Sequence, residues 1–252
     1  MRFALFIAVF LVYTFQAIAA PLPGVDWDWQ LSGSIAPPTG ILAFGADPDS
    51  VTRAQITALN DAGVYTICYV SVGTMETYRD DVELFPDEVI GKRYEDWPNE
   101  YFLDIRDEYS LPHIMGLRFF DCKLKGFQAV EPDNLDVYTN DSGFDLSRAD
   151  ILRYIRILVR GAHDNNLEIG QKNVPELTPD LVGMMDFVIT ESCYQDRWCD
   201  AVSAYVTAGK PVFDAEYSDR PINWSRACAE ARNLGISMIL KNRDLTAGRK
   251  TC

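Results

Sequence analysis

Gly126-Phe127-Gln128-Ala129-Val130-Glu131-Pro132-Asp133-Asn134-Leu135-Asp136-Val137-Tyr138 runs from an apolar strand straight into a cluster of carboxylates. Pro132 restricts Glu131 to extended geometry, so the cluster sits on a stiff strand exit. Three carboxylates this close repel one another if all are ionised and buried, so some must be protonated, hydrogen-bonded or solvated. Asn134 or Asp136 alone reads as a turn residue, because Asn and Asp bond their own backbone in turns. Glu131 and Asp133 together are harder to read that way.

The same kind of strand end recurs along the chain. Apolar, β-branched or aromatic runs predict strands at Ile41–Phe44, Tyr65–Val70, Tyr101–Ile105, Phe127–Glu131, Leu167–Lys172, Phe187–Glu191, Pro211–Glu216 and Ser237–Leu240. Helical spacing fills the gaps at Asp49–Gly63, Tyr78–Ile90, Leu111–Lys125, Ser147–Asp164, Pro179–Met184, Trp198–Ala208 and Trp224–Asn233. Such alternation argues for an α/β class fold with a parallel sheet and right-handed crossovers. An open doubly wound sheet fits the pattern too, but eight units in one domain of this length favour closure into a (β/α)8 TIM barrel. Asp104, Glu131, Asp133, Lys172, Asn173, Glu191, Glu216 and Lys241 then fall at or just past strand ends. In a barrel these positions converge on the C-terminal face, where active sites are built.

The first 19 residues are set aside. Arg2, the apolar run Phe3–Phe15 and Ala17-Ile18-Ala19 form a basic start, an apolar stretch and a small-x-small cleavage site, the order expected of a signal peptide cut after Ala19. A membrane anchor is the competing reading, but the run is short for a span and a processing site follows it. Residues 20–252 are expected to form one catalytic domain, secreted to the extracellular space and free of the membrane after processing. No Pro/Gly/Ser-rich linker or internal repeat divides them. The triplets Asn140-Asp141-Ser142 and Asn223-Trp224-Ser225 match the N-glycosylation sequon, a short pattern that fits a secretory route.

Six cysteines in an exported chain predict three disulfides. Cys193 and Cys199 are close enough to staple one loop, and the expected remainder is Cys68–Cys122 with Cys228–Cys252. Only two histidines, His113 and His163, are present, and no CxxC pair. A His-rich metal site is therefore excluded, and no cofactor or metal is expected. The formal net charge is −14, which makes nucleic acid a poor partner. Such a surface serves solubility in acid, or attraction to a cationic polymer.

Glycosidic cleavage needs two carboxylates: one protonates the leaving oxygen, and the other attacks the anomeric carbon or activates a water. Glu131 and Asp133 at one strand end, and Glu191, delivered by Phe187-Val188-Ile189-Thr190-Glu191, at another, are the candidates. Tyr138 and Tyr217 lie near strand-end carboxylates and are candidates for contact with sugar, whereas Trp27 and Trp97 read as packing residues.

Several motifs resemble those of glycoside hydrolase family 114, the endo-α-1,4-polygalactosaminidases. They are Trp29-Gln30-Leu31-Ser32-Gly33, Cys68-Tyr69-Val70-Ser71-Val72-Gly73-Thr74-Met75-Glu76, Trp97-Pro98-Asn99-Glu100, Val130–Tyr138, Gly170-Gln171-Lys172-Asn173, Glu191-Ser192-Cys193 and Gly209–Phe213 leading to Glu216-Tyr217. The resemblance implies a (β/α)8 barrel that makes internal cuts in α-1,4-linked galactosamine or N-acetylgalactosamine polysaccharide, of the galactosaminogalactan type. It implies Asp133 and Glu191 as the catalytic pair and a groove lined by Tyr69, Glu131, Asn134, Lys172, Asn173 and Glu216. Asp47, Asp136, Tyr138 and Tyr217 are added as substrate-binding candidates. The family's first strand ends in a Tyr-Asp-x-Asp-like run, whereas this chain has Phe44-Gly45-Ala46-Asp47, so one of two carboxylates is retained. The partner expected is a cationic amino-sugar polysaccharide, met by a monomer. The alternatives are a glycosidase for another polysaccharide and a sugar-binding barrel without turnover.

Overall fold

The computed structural model describes residues 20–252, so the expected signal peptide at 1–19 lies outside the described residues. Eight parallel strands form the barrel: β1 Trp27–Gln30, β2 Ala43–Ala46, β3 Tyr65–Ser71, β7 Ala129–Asp133, β8 Glu168–Lys172, β9 Phe187–Glu191, β10 Val212–Tyr217 and β11 Ser237–Lys241. They are hydrogen-bonded in that order, and a short strand β12, Lys250–Thr251, pairs antiparallel with β11. The seam between β1 and β11 is held by side chains. Trp27 Nε1 donates to the Ser237 carbonyl at 2.8 Å, and Lys241 Nζ donates to Asp28 Oδ1 at 2.9 Å.

Around the barrel run α1 Arg53–Asp61, α2 Ser110–Lys125, α3 Arg148–Asp164, α4 Thr178–Leu181, α5 Ser203–Thr207 and α6 Trp224–Leu234. Their ends are written locally. Thr52 with Gln55 and Ser147 with Asp150 form reciprocal capping boxes at α1 and α3, each satisfying amides the first turn leaves unpaired. Gly126 closes α2 at φ 99°, a conformation costly for a residue with a Cβ.

Two apolar layers result. Helices and the outer strand faces bury Ile56, Phe119, Ile155, Leu158 and Tyr205. The barrel interior is filled by Trp27, Ala43, Tyr65, Ile67, Ala129, Phe187, Ile189, Phe213, Ala215 and Ile239, so it is a packed core rather than a pore. Gly170 belongs to this packing: a Cβ there would lie 2.3 Å from the Phe187 ring. Successive side chains on a strand alternate faces. The inward parity set by Trp27, Tyr65, Ala129, Phe187 and Phe213 therefore carries Trp29, Tyr69, Glu131, Asp133, Glu191 and Tyr217 inward at the C-terminal ends.

Three expectations are corrected. Tyr101–Ile105 supplies no barrel strand. Its core, β6 Glu100–Leu103, pairs antiparallel with β4 Thr74–Glu76 and β5 Ile90–Arg93 in a separate sheet that follows β3. Asp104 accordingly lies beyond that small sheet, bonded to Arg106, and not at a barrel strand end. The missing barrel strand is Trp27–Gln30, all four residues of which are buried. Tyr78–Ile90 is not one helix but two 3-10 turns, Val82–Leu84 and Asp87–Val89. Pro86 between them lacks the amide a helix needs and forces Phe85 to be extended. The disulfides Cys68–Cys122, Cys193–Cys199 and Cys228–Cys252 form as expected.

Candidate active site

The strand exits that carry the polar residues turn sharply. Asn134, Asn173, Val174 and Ser192 all adopt positive φ, between 44° and 61°. Such residues cost energy, and surrounding bonds must hold them there. Asn134 donates its amide to Ser71 Oγ at 2.9 Å and to Thr74 Oγ1 at 3.2 Å. Its backbone lies so close to Gly73 that a Cβ there would fall 2.0 Å from the Asn134 carbonyl oxygen. Asn173 and Glu191 bind reciprocally: Asn173 Nδ2 donates to Glu191 Oε2 at 3.2 Å, and the Glu191 amide donates to Asn173 Oδ1 at 2.8 Å. These contacts fix where β7 and β9 deliver their carboxylates.

At the centre sits Lys172, 2% exposed. Its Nζ lies 3.0 Å from Glu131 Oε1, 2.9 Å from Asp133 Oδ1 and 3.2 Å from Glu191 Oε2. It also lies 4.7 Å from the centre of the Trp29 ring. Trp29 Nε1 donates to the other oxygen of Glu131 at 2.9 Å. Tyr69 OH donates to Asp133 Oδ2 at 3.0 Å, and Tyr217 OH donates to Glu191 Oε1. The guanidinium of Arg243 stacks 3.7 Å from the centre of the Tyr217 ring. Each of Asp133 and Glu191 thus has the ammonium on one oxygen and a phenol on the other. Their side chains are 21% and 28% exposed, against 1% for Glu131. Glu131 is buried against the ammonium, while the other two open to solvent.

Environment separates the carboxylates electrostatically. Burial pushes Glu131 up to about 7, with Lys172 opposing and Asp133 adding repulsion. Burial also works against ionised Asp133, but the Lys172 charge and hydrogen bonds from Lys172 and Tyr69 outweigh it and hold Asp133 below its ordinary range. The three carboxylates in turn hold Lys172 well above its ordinary value despite burial. In the neighbouring sheet Glu100 is pushed up to about 7, by burial foremost and by Glu76 and Asp133.

The structure brings Tyr69, Lys172, Asn173 and Tyr217 into contact with the expected pair, and Glu131 reaches it through Lys172. Other candidates bind elsewhere. Glu216 faces outward on β10, where its oxygens accept the Tyr194 and Gln195 amides at 2.7 and 3.1 Å. Asp47 is paired with Arg79 at 2.6 Å, in a network that also takes in Glu76 and Asp49. Tyr138 donates to Glu176. The Asp136 carbonyl holds the following turn by accepting from Thr139 and Asn140. Cys193, Asp214 and Glu216 also come together, but Cys193 is bonded to Cys199 and has no thiolate to offer a metal. Among the described residues, no helix is long and apolar enough to cross a membrane.

Two features of the site are not legible in the sequence: Trp29 as a donor to Glu131, and Glu76 and Glu100 as buried acids beside the cleft. The alternation Trp27-Asp28-Trp29-Gln30 is the available signal for the first.

A model of glycoside-hydrolase family GH114 matches residues 13–252. The chain belongs to this family. Its GH114 barrel is similar to the crystal structure of Aspergillus fumigatus Ega3 in complex with galactosamine, with 31% identity and a TM-score of 0.87 over 95% of this chain and 100% of that one. The glycoside hydrolase domain of PelA from Pseudomonas aeruginosa matches at 14% identity and a TM-score of 0.68, over 90% and 98% of the two chains. An α-galactosidase from Thermus thermophilus matches at 11% identity and a TM-score of 0.55, over 87% and 59%. The last two show the shared barrel alone. No curated protein sequence matches the chain. Family membership makes the protein a glycoside hydrolase, and the (β/α)8 fold is that of its GH114 relatives.

Proposed function

We propose that this glycoside hydrolase is a secreted, monomeric enzyme that makes internal cuts in α-1,4-linked galactosamine polymers, with Asp133 as nucleophile and Glu191 as acid and base. The observation that carries the mechanism is the shared grip of Lys172. Asp133 Oδ1 and Glu191 Oε2 each lie within 3.2 Å of one ammonium, so these oxygens are at most twice that distance apart. This bound favours the spacing of about 5–5.5 Å used for attack by a carboxylate over the roughly 6.5–9.5 Å that leaves room for a water.

The charges support the same roles. Asp133, kept ionised by Lys172 and Tyr69, is suited to attack the anomeric carbon. The leaving oxygen then takes its proton from Glu191. In the second half, water adds to that carbon, gives a proton to Glu191, and the bond to Asp133 breaks. The galactosamine bound by Ega3 and the net charge of −14 support an amino-sugar substrate. A cationic polymer is drawn to such a surface, so turnover should fall as salt rises. Three disulfides suit an oxidising, extracellular setting.

The test is mass spectrometry of products from partly deacetylated α-1,4-galactosamine polymer. Short oligosaccharides from the wild type, absent with Asp133→Asn, support the proposal. Intact polymer with folded wild-type protein rejects it and moves the substrate to another glycan.

A further inference from the structure

We infer that Lys172 is a positioning residue that couples the charge of Asp133 to that of Glu191, presenting one ammonium to whichever of the two is ionised in each half of the reaction. The inference rests on the two-carboxylate reading and concerns a residue argued to act through the two carboxylates it contacts.

Geometry carries it. A single buried Nζ contacts one oxygen of each carboxylate, at 2.9 and 3.2 Å. The opposite oxygens are held by Tyr69 and Tyr217, so neither carboxylate can swing away without losing a second bond. Lys172 is itself anchored from behind by Glu131 and the Trp29 ring. The other groups facing Asp133 give no substitute charge. Tyr69 on β3 is neutral, while Glu131 on its own strand, Asp136 in the turn beyond it, and Glu76 and Glu100 in the neighbouring sheet are acidic. Arg79 is engaged by Asp47 and Glu76.

The two-carboxylate reaction requires Asp133 ionised and a proton on Glu191 before attack. When the bond from Asp133 to the sugar forms, the nucleophile's charge disappears, and the proton leaves Glu191 for the departing oxygen. The negative charge has moved from one end of the Lys172 bridge to the other. The ammonium faces one ionised catalytic carboxylate throughout, without moving. Its removal penalises the charged form at both ends, because an opposite charge within about 4–6 Å favours the ionised state.

The experiment is the pH dependence of kcat/KM on partly deacetylated α-1,4-galactosamine polymer for wild type, Lys172→Met, Glu131→Gln and Asp133→Asn. Lys172→Met is expected to move both limbs to higher pH by about one unit or more. Its kcat should fall at least about ten-fold while KM changes less than about three-fold. Glu131→Gln, which takes a competing negative charge off the same ammonium where Glu131 is ionised, from about pH 7 upward, is expected to move the basic limb the other way. A folded Lys172→Met enzyme with wild-type limbs overturns the coupling while leaving the two-carboxylate reading intact. Should Lys172→Met not fold, Glu131→Gln decides alone: a basic limb that stays or rises overturns the coupling. Intact polymer with the wild type, or full activity in Asp133→Asn, sinks both readings.

Discussion

The phenol of Tyr69 donates to Asp133 Oδ2 at 3.0 Å, on the oxygen that Lys172 leaves free. Tyr69 comes from β3 and Asp133 from β7, paired neighbours in the barrel. This bond stabilises the ionised carboxylate, so its loss should raise the pH at which Asp133 becomes active. A hydrogen bond to a charged group contributes about 1.5–3 kcal/mol, and each 1.36 kcal/mol or so is ten-fold in rate. Tyr69→Phe should therefore lower kcat/KM roughly ten- to one-hundred-fold, with the acidic limb displaced upward. A pH–rate profile of the variant checks both the size and the direction.

Stability should fall as pH rises from about 4.5 to about 7. Glu131 and Glu100 both have folded values near 7, above the ordinary 4.5, with burial as the leading cause. In that window the folded state holds protons that the unfolded state has released, so stabilisation present below the unfolded value is lost as pH climbs through the folded one. Asp133, Asp81 and Asp104 are held low and act in the opposite sense only below about 4. Thermal melts across the window should show a declining Tm, and Glu100→Gln should flatten the decline. A Tm that rises steadily to pH 7 would contradict the raised values of both buried acids.

The disulfides should differ in worth according to the loops they close. Cys68–Cys122 spans 54 residues and ties β3 to α2, whereas Cys193–Cys199 spans 6. On the chain-entropy model these contribute about 4 and about 2 kcal/mol. Paired Cys→Ser variants compared by denaturant unfolding test the order. The short bridge should show its larger effect on activity, because it closes the loop immediately after Glu191.

Most of the barrel is legible in the sequence because strands such as Phe187–Glu191 are short apolar runs between helical patterns. The polar ends of β7, β8 and β9 lie together at the C-terminal face, whereas Asp104 does not. Trp27–Gln30 does not read as a strand, because its buried Asp28 looks out of place until Lys241, 213 positions away, supplies the counter-charge. Tyr101–Ile105 has a strand's composition, but composition does not name a strand's partners, and its neighbours are β4 and β5. In the site, Asp133, Glu191 and Lys172 can be nominated from strand ends. That one ammonium lies between all three carboxylates depends on the inward parity of β7, β8 and β9 together, a property of their packing.

The most direct measurement is proton NMR of the reducing end at its first appearance, before mutarotation, as the enzyme cuts α-1,4-galactosamine polymer. On the proposed mechanism, attack by Asp133 followed by water gives two inversions, so the α anomer should appear first and the β anomer grow in later. First release of the β anomer would mean a single displacement by water, and would contradict the role of Asp133 as nucleophile.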